Sequence, residues 1–258
     1  MAQGEIGVTR QGPVAVLELR RPPSNFLDIP LLRSLADAMH ALDRDPGCRA
    51  MVLAAQGSAF CAGGNFSAPG AVQGLADPGA DGGLYAEAVR LFRVAKPIVA
   101  AVHGAAVGGG LGLALVADFR VTCAQARFSA NFNRLGIHPG FGLSVTLPRL
   151  VGAQQAALLC FTGRRVGGEQ AVAMGLADQL VPQPQVREAA CALAAELAVS
   201  APLAVVSTRQ TLRAGLADAV AAATVHEAAE QRVMFRSQDF AEGVAAMNAR
   251  RPPVFQGR

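Results

Sequence analysis

The sequence predicts an α/β fold built on a largely parallel sheet. Three observations support it: short, continuously apolar runs typical of buried strands, helical apolar spacing between those runs, and an alanine-rich second half with few helix breakers. The chain has 258 residues, of which 52% are hydrophobic and 16% charged, a balance that predicts a globular protein with a sizeable core. Strands alternating with helices favour right-handed crossovers and parallel pairing.

The first elements follow from apolar runs and their boundaries. Residues 14–19 form an apolar run between Gly-Pro and Arg-Arg-Pro-Pro, which predicts a strand. A helix follows, because leucine and methionine recur at helical spacing over residues 31–42, after the start signals Asp28 and Pro30. An Asp-Pro-Gly turn then leads into a second buried strand at residues 50–54.

The middle of the chain combines a loop, a helix and a glycine cluster. The stretch from Ser67 to Gly83 is rich in Gly, Ala, Asp and Pro, which is typical of a mobile loop that covers or flanks a site. A helix near residues 84–94 and a strand at 98–102 follow. The apolar stretch 98–117 approaches the length of a membrane span, but a histidine and five glycines interrupt it. A strand, a loop and a helix explain it better, so no membrane partner is expected.

The second half of the chain predicts helices. Their predicted bounds are 187–198, 202–212, 217–234 and 239–249. We therefore divide the chain into a core at residues 1–200, which carries the functional site, and a helical region at residues 201–258, which we expect to serve oligomerisation.

Charge and cysteine content exclude several classes of function. The net charge of +4 comes from scattered Lys and Arg side chains, which suits phosphates on a small molecule better than a nucleic acid. The five cysteines show no CxxC pair and no Cys/His ligand spacing, so we expect core thiols and no metal site. The first ten residues lack the apolar stretch of a secretory signal, which with the reduced thiols favours a cytoplasmic location.

Two glycine-rich segments are the candidate site. Residues 57–66 follow one predicted strand, and residues 103–114 stand between another strand and a helix. Glycine lets the backbone approach a ligand, and a helix start leaves N–H groups unpaired. Two such loops after neighbouring strands predict an oxyanion hole, although close packing alone would also require glycines. The segments contain no P-loop, dinucleotide fingerprint or GxSxG elbow.

At this point the sequence resembles a known family. Residues Ala59 to Asn65 resemble the first oxyanion loop of the crotonase (enoyl-CoA hydratase/isomerase) superfamily, and residues 96–118, with the Gly108–Gly110 turn, resemble the second. The resemblance runs from about residue 6 to the end of the chain. Further matching segments are 128–129, 136–152, 162–164, 171–181 and the tail at 239–255.

The resemblance implies a fold, a substrate and an assembly. The fold would be the crotonase-like (ClpP/crotonase) spiral of ββα units with a C-terminal helical trimerisation region, assembled as a homotrimer or homohexamer. The substrate would be an acyl-CoA thioester, with coenzyme A as part of the substrate and neither a metal nor a redox cofactor.

The resemblance also implies particular site residues. The backbone N–H groups of Gly64 and Gly109 would be the oxyanion donors. The residues that would bind substrate are Ser24, Asn25, Phe26, Ala62, Gly63, Asn65 and Phe132. Asn65 stands where the family often has an aspartate.

Two positions depart from the family pattern. Hydratases of the family use two glutamates, and the matching positions here are Gly112 and Phe132. Neither residue transfers a proton, and water addition requires a pair of acid–base groups. Standard enoyl-CoA hydration is therefore not expected.

His138 is the remaining candidate for acid–base work. It lies in a Gly-Ile-His-Pro-Gly segment that the family brings to the acyl end of the pocket, and histidine titrates near neutral pH. A hydrogen-bonded structural role before the proline turn explains it equally well. Tyr85, Glu87 and Arg90, which follow the glycine-rich loop, are further candidates for the pocket.

Three functions stay open on the sequence alone. The first is enolate chemistry on an acyl-CoA thioester, namely double-bond isomerisation, decarboxylation or C–C cleavage. The second is hydrolysis or decarboxylation of a CoA thioester or β-diketone, with His138 activating water. The third is a non-catalytic acyl-CoA-binding protein that retains the hole without the acids.

Overall fold

A computed structural model describes residues 5–66 and 83–258 as strands alternating with helices. The strands are β1 (Ile6–Gln11), β2 (Val14–Leu19), β3 (Ala50–Ala55), β4 (Ala59–Cys61), β5 (Ile98–Val102), β6 (Ala105–Val107), β7 (Phe119–Thr122), β8 (Arg127–Ser129), β9 (Val166–Gly167) and β10 (Gln179–Leu180). The helices are α1 (Ile29–Arg44), α2 (Gly83–Phe92), α3 (Gly109–Ala114), α4 (Leu143–Thr162), α5 (Gly168–Ala173), α6 (Val186–Val199), α7 (Pro202–Leu212), α8 (Leu216–Met234) and α9 (Gln238–Asn248), with 3-10 turns at Asn131–Leu135 and Gln183–Gln185.

The strands form two sheets, and most of their pairing is parallel. The larger sheet has the order β1-β2-β3-β5-β7-β10, in which only the β1–β2 pair is antiparallel. The smaller sheet has the order β4-β6-β8-β9, with β4, β6 and β8 parallel. The predicted α/β fold with a largely parallel sheet is confirmed.

The apolar strands are buried because both faces of the larger sheet are covered. Helix α6 packs against β2, β3, β5 and β7, while α1 packs against β1, β2 and α2. Every residue of β2 is buried, which explains its continuous apolar run. Helix α1 begins at the predicted signal, since the Asp28 side chain accepts a hydrogen bond from the N–H of Leu31 at 2.9 Å.

The predicted glycine-rich loop runs from Ser67 to Gly83. Its residues 67–82 lie outside the described residues, and Gly83 is the first residue of α2. The apolar stretch 98–117 forms β5, β6 and α3, so the predicted strand and helix are confirmed, whereas part of the predicted loop is the short strand β6. In the described part of the chain, no single helix has the length and apolar character to cross a membrane. Residues Gln183–Val199 and Pro202–Leu212, bent by 107°, meet the length and composition test only as a pair.

The C-terminal region is helical, as predicted, and it packs on its own core. Helix α8 contacts α2 and α4, and α9 contacts the 3-10 turn at Asn131–Leu135. Helix α7 is tied to the sheet by the Asp118 carboxylate, which accepts from Arg209 at 2.8 Å and from Arg213 at 2.7 Å. The helices therefore border the functional core of the same chain.

The C-terminal tail is held to α9 by a carboxylate whose pKa is lowered. The Glu242 side chain accepts from Arg251 at 2.7 Å and from the N–H of Val254 at 2.8 Å, and these bonds lower the pKa of Glu242 from 4.5 to about 2. A depressed native pKa stabilises the attachment above pH 4.5, and this stabilisation is lost as the pH falls towards 2.

We therefore expect the tail amides to lose protection below pH 4.5. Hydrogen exchange of the amides of residues 254–257, corrected for the intrinsic rate, measures this. Glu242→Gln should already show low protection at pH 7. Equal protection of the variant and the unmodified protein at pH 7 would contradict the attachment.

Candidate active site

The two glycine loops meet at the ends of β4 and β6, which are neighbours in the smaller sheet. The carbonyl of Gly63 accepts from the N–H of Leu27 at 2.8 Å, forming a bridge between Leu27 and Gly64. A Cβ atom placed on Gly63 would lie 2.6 Å from the carbonyl oxygen of Val107 and 3.3 Å from the nitrogen of Gly109. The first loop thus touches the start of α3, and only glycine fits at the contact.

The N–H groups of Gly64 and Gly109 are available to a ligand. Gly109 is the first residue of α3, where N–H groups have no partner within the helix, and Gly108 before it has a φ of 55°. The bridge to Leu27 uses the carbonyl of Gly63 and leaves the N–H of Gly64 on the other side. Within residues 5–66 and 83–258, neither N–H has an acceptor. Two donors on touching loops suit one substrate oxygen.

A cavity of about 550 Å³ opens beside Gly64. Its apolar wall contains Phe26, Leu27, Phe66 and Leu84, and Asn65 also lines it. Its rim is charged, and the charges there neutralise one another because Arg21 forms ion pairs with Glu5 and Asp28. The cavity therefore offers an apolar chamber next to the Gly64 donor, and Leu27 in its wall also lies against Gly109, which suits an acyl chain.

Asn25 was predicted to bind substrate as part of the segment before α1, but its side chain has a structural role. It is fully buried with a φ of 49°, and its amide donates to the carbonyls of Gln56 at 2.7 Å and Ala59 at 2.9 Å. Its oxygen accepts from the N–H of Arg21 at 3.0 Å. These bonds occupy the side chain, so a contact of Asn25 with substrate would use its backbone, and that contact stays a prediction.

The other residues predicted to bind substrate line the cavity or belong to the segments that border it. The carbonyl of Ser24 accepts from the N–H of Ala62 at 2.9 Å, which joins the loop before α1 to the first glycine loop. Phe26 and Asn65 line the cavity. Direct contacts of Ser24, Ala62 and Gly63 with substrate stay predictions.

We expect Asn25→Ala to lower the free energy of unfolding by about 2–4 kcal/mol, because it leaves buried backbone groups without partners. Urea denaturation measures this. Asn25→Gly separates the two causes, since it also removes the amide but accepts the left-handed backbone. An alanine variant as stable as the unmodified protein would contradict the structural role.

His138 lies in a different cavity, of about 540 Å³, whose described lining contains neither Gly64 nor Gly109. Its Nδ1 atom lies 2.7 Å from the carbonyl oxygen of Pro139, and its ring meets that of His226 edge-on at 5.6 Å. Phe141, three residues later, packs against Gly109 and Gly112 of α3. The expectation that His138 faces the acyl site is not supported by this geometry.

Tyr85 approaches the site, whereas Glu87 and Arg90 do not. Glu87 pairs with Arg33 and Arg90 between α1 and α2. The hydroxyl of Tyr85 donates to Gln231 at 2.6 Å, and Gln231 donates to the carbonyl of His138 at 2.8 Å. Burial, with a smaller contribution from a buried glutamate charge, raises the pKa of Tyr85, so the phenol stays neutral.

Comparison with known proteins decides the family. A family model described as enoyl-CoA hydratase/isomerase matches residues 9–258. The chain belongs to the enoyl-CoA hydratase/isomerase family. The resemblance of the glycine loops is thereby confirmed.

Relatives and solved structures of this family resemble the chain over nearly its whole length. A probable enoyl-CoA hydratase from Bacillus subtilis (strain 168) is 32% identical over 250 residues, covering 95% of each chain. A carnitinyl-CoA dehydratase from Salmonella typhi is 33% identical over 261 residues, covering 97% of this chain and 98% of that one. The crystal structure of an enoyl-CoA hydratase/isomerase from Pseudoalteromonas atlantica T6c has a TM-score of 0.87 at 27% identity, covering 98% and 100%. The fold is that of the crotonase superfamily.

An aromatic ring lies against Gly112, the position that the resemblance assigns to the first glutamate. A Cβ atom placed on Gly112 would lie 2.7 Å from the Cβ of Phe141, and one on Gly109 would lie 3.6 Å from the Phe141 ring. Phe141 is 1% exposed. The space next to Gly112 therefore holds a phenyl ring and has no room for a carboxylate.

Phe132, the position that the resemblance assigns to the second glutamate, lies next to the glycine turn. Its ring is 3.7 Å from the place of a Cβ on Gly108, where the Asn131 side-chain oxygen also approaches at 3.2 Å. Phe132 is buried at 5% exposure, and its direct contact with substrate stays a prediction. Sequence reasoning missed Phe141, which packs against Gly109 and Gly112, and its position between Gly140 and Gly142 is the one local signal for it.

Proposed function

We propose that this protein binds an acyl-CoA thioester and stabilises its enolate between the N–H groups of Gly64 and Gly109. The observation that carries the proposal is the contact between the two glycine loops, with Gly64 lining an apolar cavity whose wall residue Leu27 also lies against Gly109. Family relatives are enzymes that act on CoA thioesters. When the thioester becomes an enolate, negative charge develops on its oxygen, and two preorganised donors stabilise that charge more than the ground state.

The site favours a reaction other than addition of water. Gly112 and Phe132 supply no carboxylate, and Phe141 fills the space beside Gly112. An enolate formed by double-bond isomerisation, decarboxylation or C–C cleavage needs the donors but not a water held by two acids. We therefore propose an isomerase or lyase on CoA thioesters.

The acyl part would lie in the cavity lined by Phe26, Leu27 and Phe66, with coenzyme A entering as part of the substrate. The proposal includes no resident cofactor. In the described residues, no three His, Cys, Asp or Glu side chains are arranged to hold a metal ion. Hydrolysis through His138 has less support, because that histidine lines the other cavity.

We further propose a homotrimer or homohexamer that assembles through the helical C-terminal region, in the cytoplasm and without a nucleic-acid partner. Large apolar side chains on α7 and α8 stand in solvent, with exposures of 85% for Leu203, 76% for Leu212 and 72% for Val225. Light scattering coupled to size-exclusion chromatography should give three or six times 26.5 kDa. A 26.5 kDa monomer at micromolar concentration would contradict the assembly.

A panel of CoA thioesters tests the activity. The panel contains a 3-enoyl-CoA for isomerisation, a malonyl-type CoA for decarboxylation, crotonyl-CoA for hydration and a saturated acyl-CoA for hydrolysis, with products identified by mass spectrometry. We expect turnover of the 3-enoyl or malonyl type and little of the others. Tight binding of every thioester without any turnover would instead favour a non-catalytic acyl-CoA-binding protein.

A further inference from the structure

Phe141 has a backbone conformation that bulky residues seldom adopt. Its φ is 63°, in the left-handed region that favours glycine, although its ring is only 1% exposed. Such a conformation costs free energy, and it persists only where the surroundings enforce it, often at functional sites. The ring lies against Gly109, whose N–H is one of the two donors, and against Gly112.

A clamp of three polar side chains enforces this conformation from both sides of Phe141. On one side is the Tyr85 hydroxyl, which would lie 2.0 Å from a Cβ atom placed on Gly140, the residue before Phe141. Gln231 anchors that hydroxyl and also the carbonyl of His138.

On the other side of Phe141, the carboxylate of Glu227 holds the next turn. It accepts from the N–H of Gly142 at 2.8 Å, and from the N–H of Ser144 at 3.2 Å. Glu227 and Gln231 are 0% and 2% exposed and stand four residues apart on one face of α8. Two fully buried polar side chains on one helix are thus committed to the backbone around a single phenyl ring.

We propose that Phe141 is the specificity-determining residue of the acyl pocket, and that Tyr85, Gln231 and Glu227 are positioning residues that hold its ring under the oxyanion donors. The proposal rests on the proposed function, because it assumes that a thioester oxygen lies on Gly109. The acyl carbons next to that thioester then lie beside the Phe141 ring. The ring limits how far a longer or branched acyl chain extends towards α3.

The affinities of Phe141→Ala for butanoyl-CoA, decanoyl-CoA and CoA itself test whether the Phe141 ring limits the acyl pocket. Removing the ring opens space beside the thioester, so the affinity for decanoyl-CoA relative to butanoyl-CoA should rise about 10-fold or more. The affinity for CoA should change less than about twofold. Phe141→Leu retains an apolar side chain of intermediate size, and its affinity ratio should lie between those of alanine and phenylalanine. If the alanine variant fails to fold, Phe141→Leu still provides the test.

Tyr85→Phe and Gln231→Leu test the clamp. Both retain bulk but remove the hydrogen bonds that hold residues 138–141, so the ring should move. We expect the affinity for decanoyl-CoA relative to butanoyl-CoA to rise, as in Phe141→Ala but by a smaller factor. The value of kcat should fall by a larger factor than the affinity for CoA. Gln154→Leu, at an exposed position on α4, is the matched control and should show the ratio of the unmodified protein.

The outcomes separate this inference from the proposed function. If the unmodified protein binds neither acyl-CoA more tightly than CoA, the proposed function fails. If it binds them and Phe141→Ala and Phe141→Leu leave the ratio unchanged, Phe141 is not the specificity wall. If the Phe141 variants shift the ratio but Tyr85→Phe and Gln231→Leu do not, the positioning roles are wrong.

Discussion

Replacing Gly109 with proline should lower turnover of the acyl-CoA substrate by about 10²–10³-fold, the usual effect of losing one oxyanion donor. Proline has no N–H, so one of the two donors disappears. The helix itself should persist, because Gly109 is the first residue of α3 and proline is well tolerated at that position. Initial rates and circular dichroism on the same preparation measure both parts of the expectation.

Gly109→Ala is the matched control for this variant. It retains the N–H and adds a Cβ that would lie 3.1 Å from a methyl of Leu27, a contact that proline shares. The difference in rate between the proline and alanine variants therefore reports the N–H. Equal rates for the two, with the proline variant folded, would remove Gly109 from the oxyanion hole.

Hydration of crotonyl-CoA should be slower by at least about 10⁴-fold than the roughly 10 s⁻¹ of a typical enzyme, because two acid–base groups are missing and each contributes about 10²–10⁴-fold. Loss of the ultraviolet absorbance of the conjugated thioester follows the reaction. Vigorous hydration would mean that another pair of groups positions the water.

Restoring one glutamate should not by itself restore hydration. In Gly112→Glu the new side chain meets Phe141, since even its Cβ would lie 2.7 Å from that residue, so we expect a loss of stability of about 1–3 kcal/mol or more. In the double variant Gly112→Glu with Phe141→Gly, the ring is absent and the left-handed backbone is relieved. The double variant should therefore be more stable than Gly112→Glu; a less stable one would contradict the packing of these two positions.

Much of the fold could be predicted because its long elements carry their own signals. Helix α7 has the predicted bounds, Pro202–Leu212, and β2 and β5 are continuous apolar runs because both of their faces are buried. The three-residue strands β4, β6 and β8 were not predicted. They are too short to show a periodicity, and they exist because they pair with one another in the smaller sheet.

The candidate site, too, could be predicted only where a local sequence pattern carries the signal. The meeting of the two glycine loops could be predicted, because close contacts between the loops demand glycine at Gly63 and Gly110, and the motif carries that demand locally. The cavity that His138 lines could not, since no local pattern tells which of the two cavities a residue of this segment faces. The clamp depends on Gln231 and Glu227, which are distant in sequence and look like ordinary polar residues of a helix.

The carbonyl stretching frequency of a bound thioester tests the oxyanion hole most directly, and it does not require the natural acyl group. Difference infrared spectra would be recorded for butanoyl-CoA and for the same thioester labelled with ¹³C at the carbonyl carbon, which isolates that band. Two N–H donors polarise the C=O bond. We therefore expect the bound band at a lower frequency than in water, and a return towards the value in water for Gly109→Pro but not for Gly109→Ala. A bound band at the frequency of free butanoyl-CoA, unchanged by the proline, would contradict the hole.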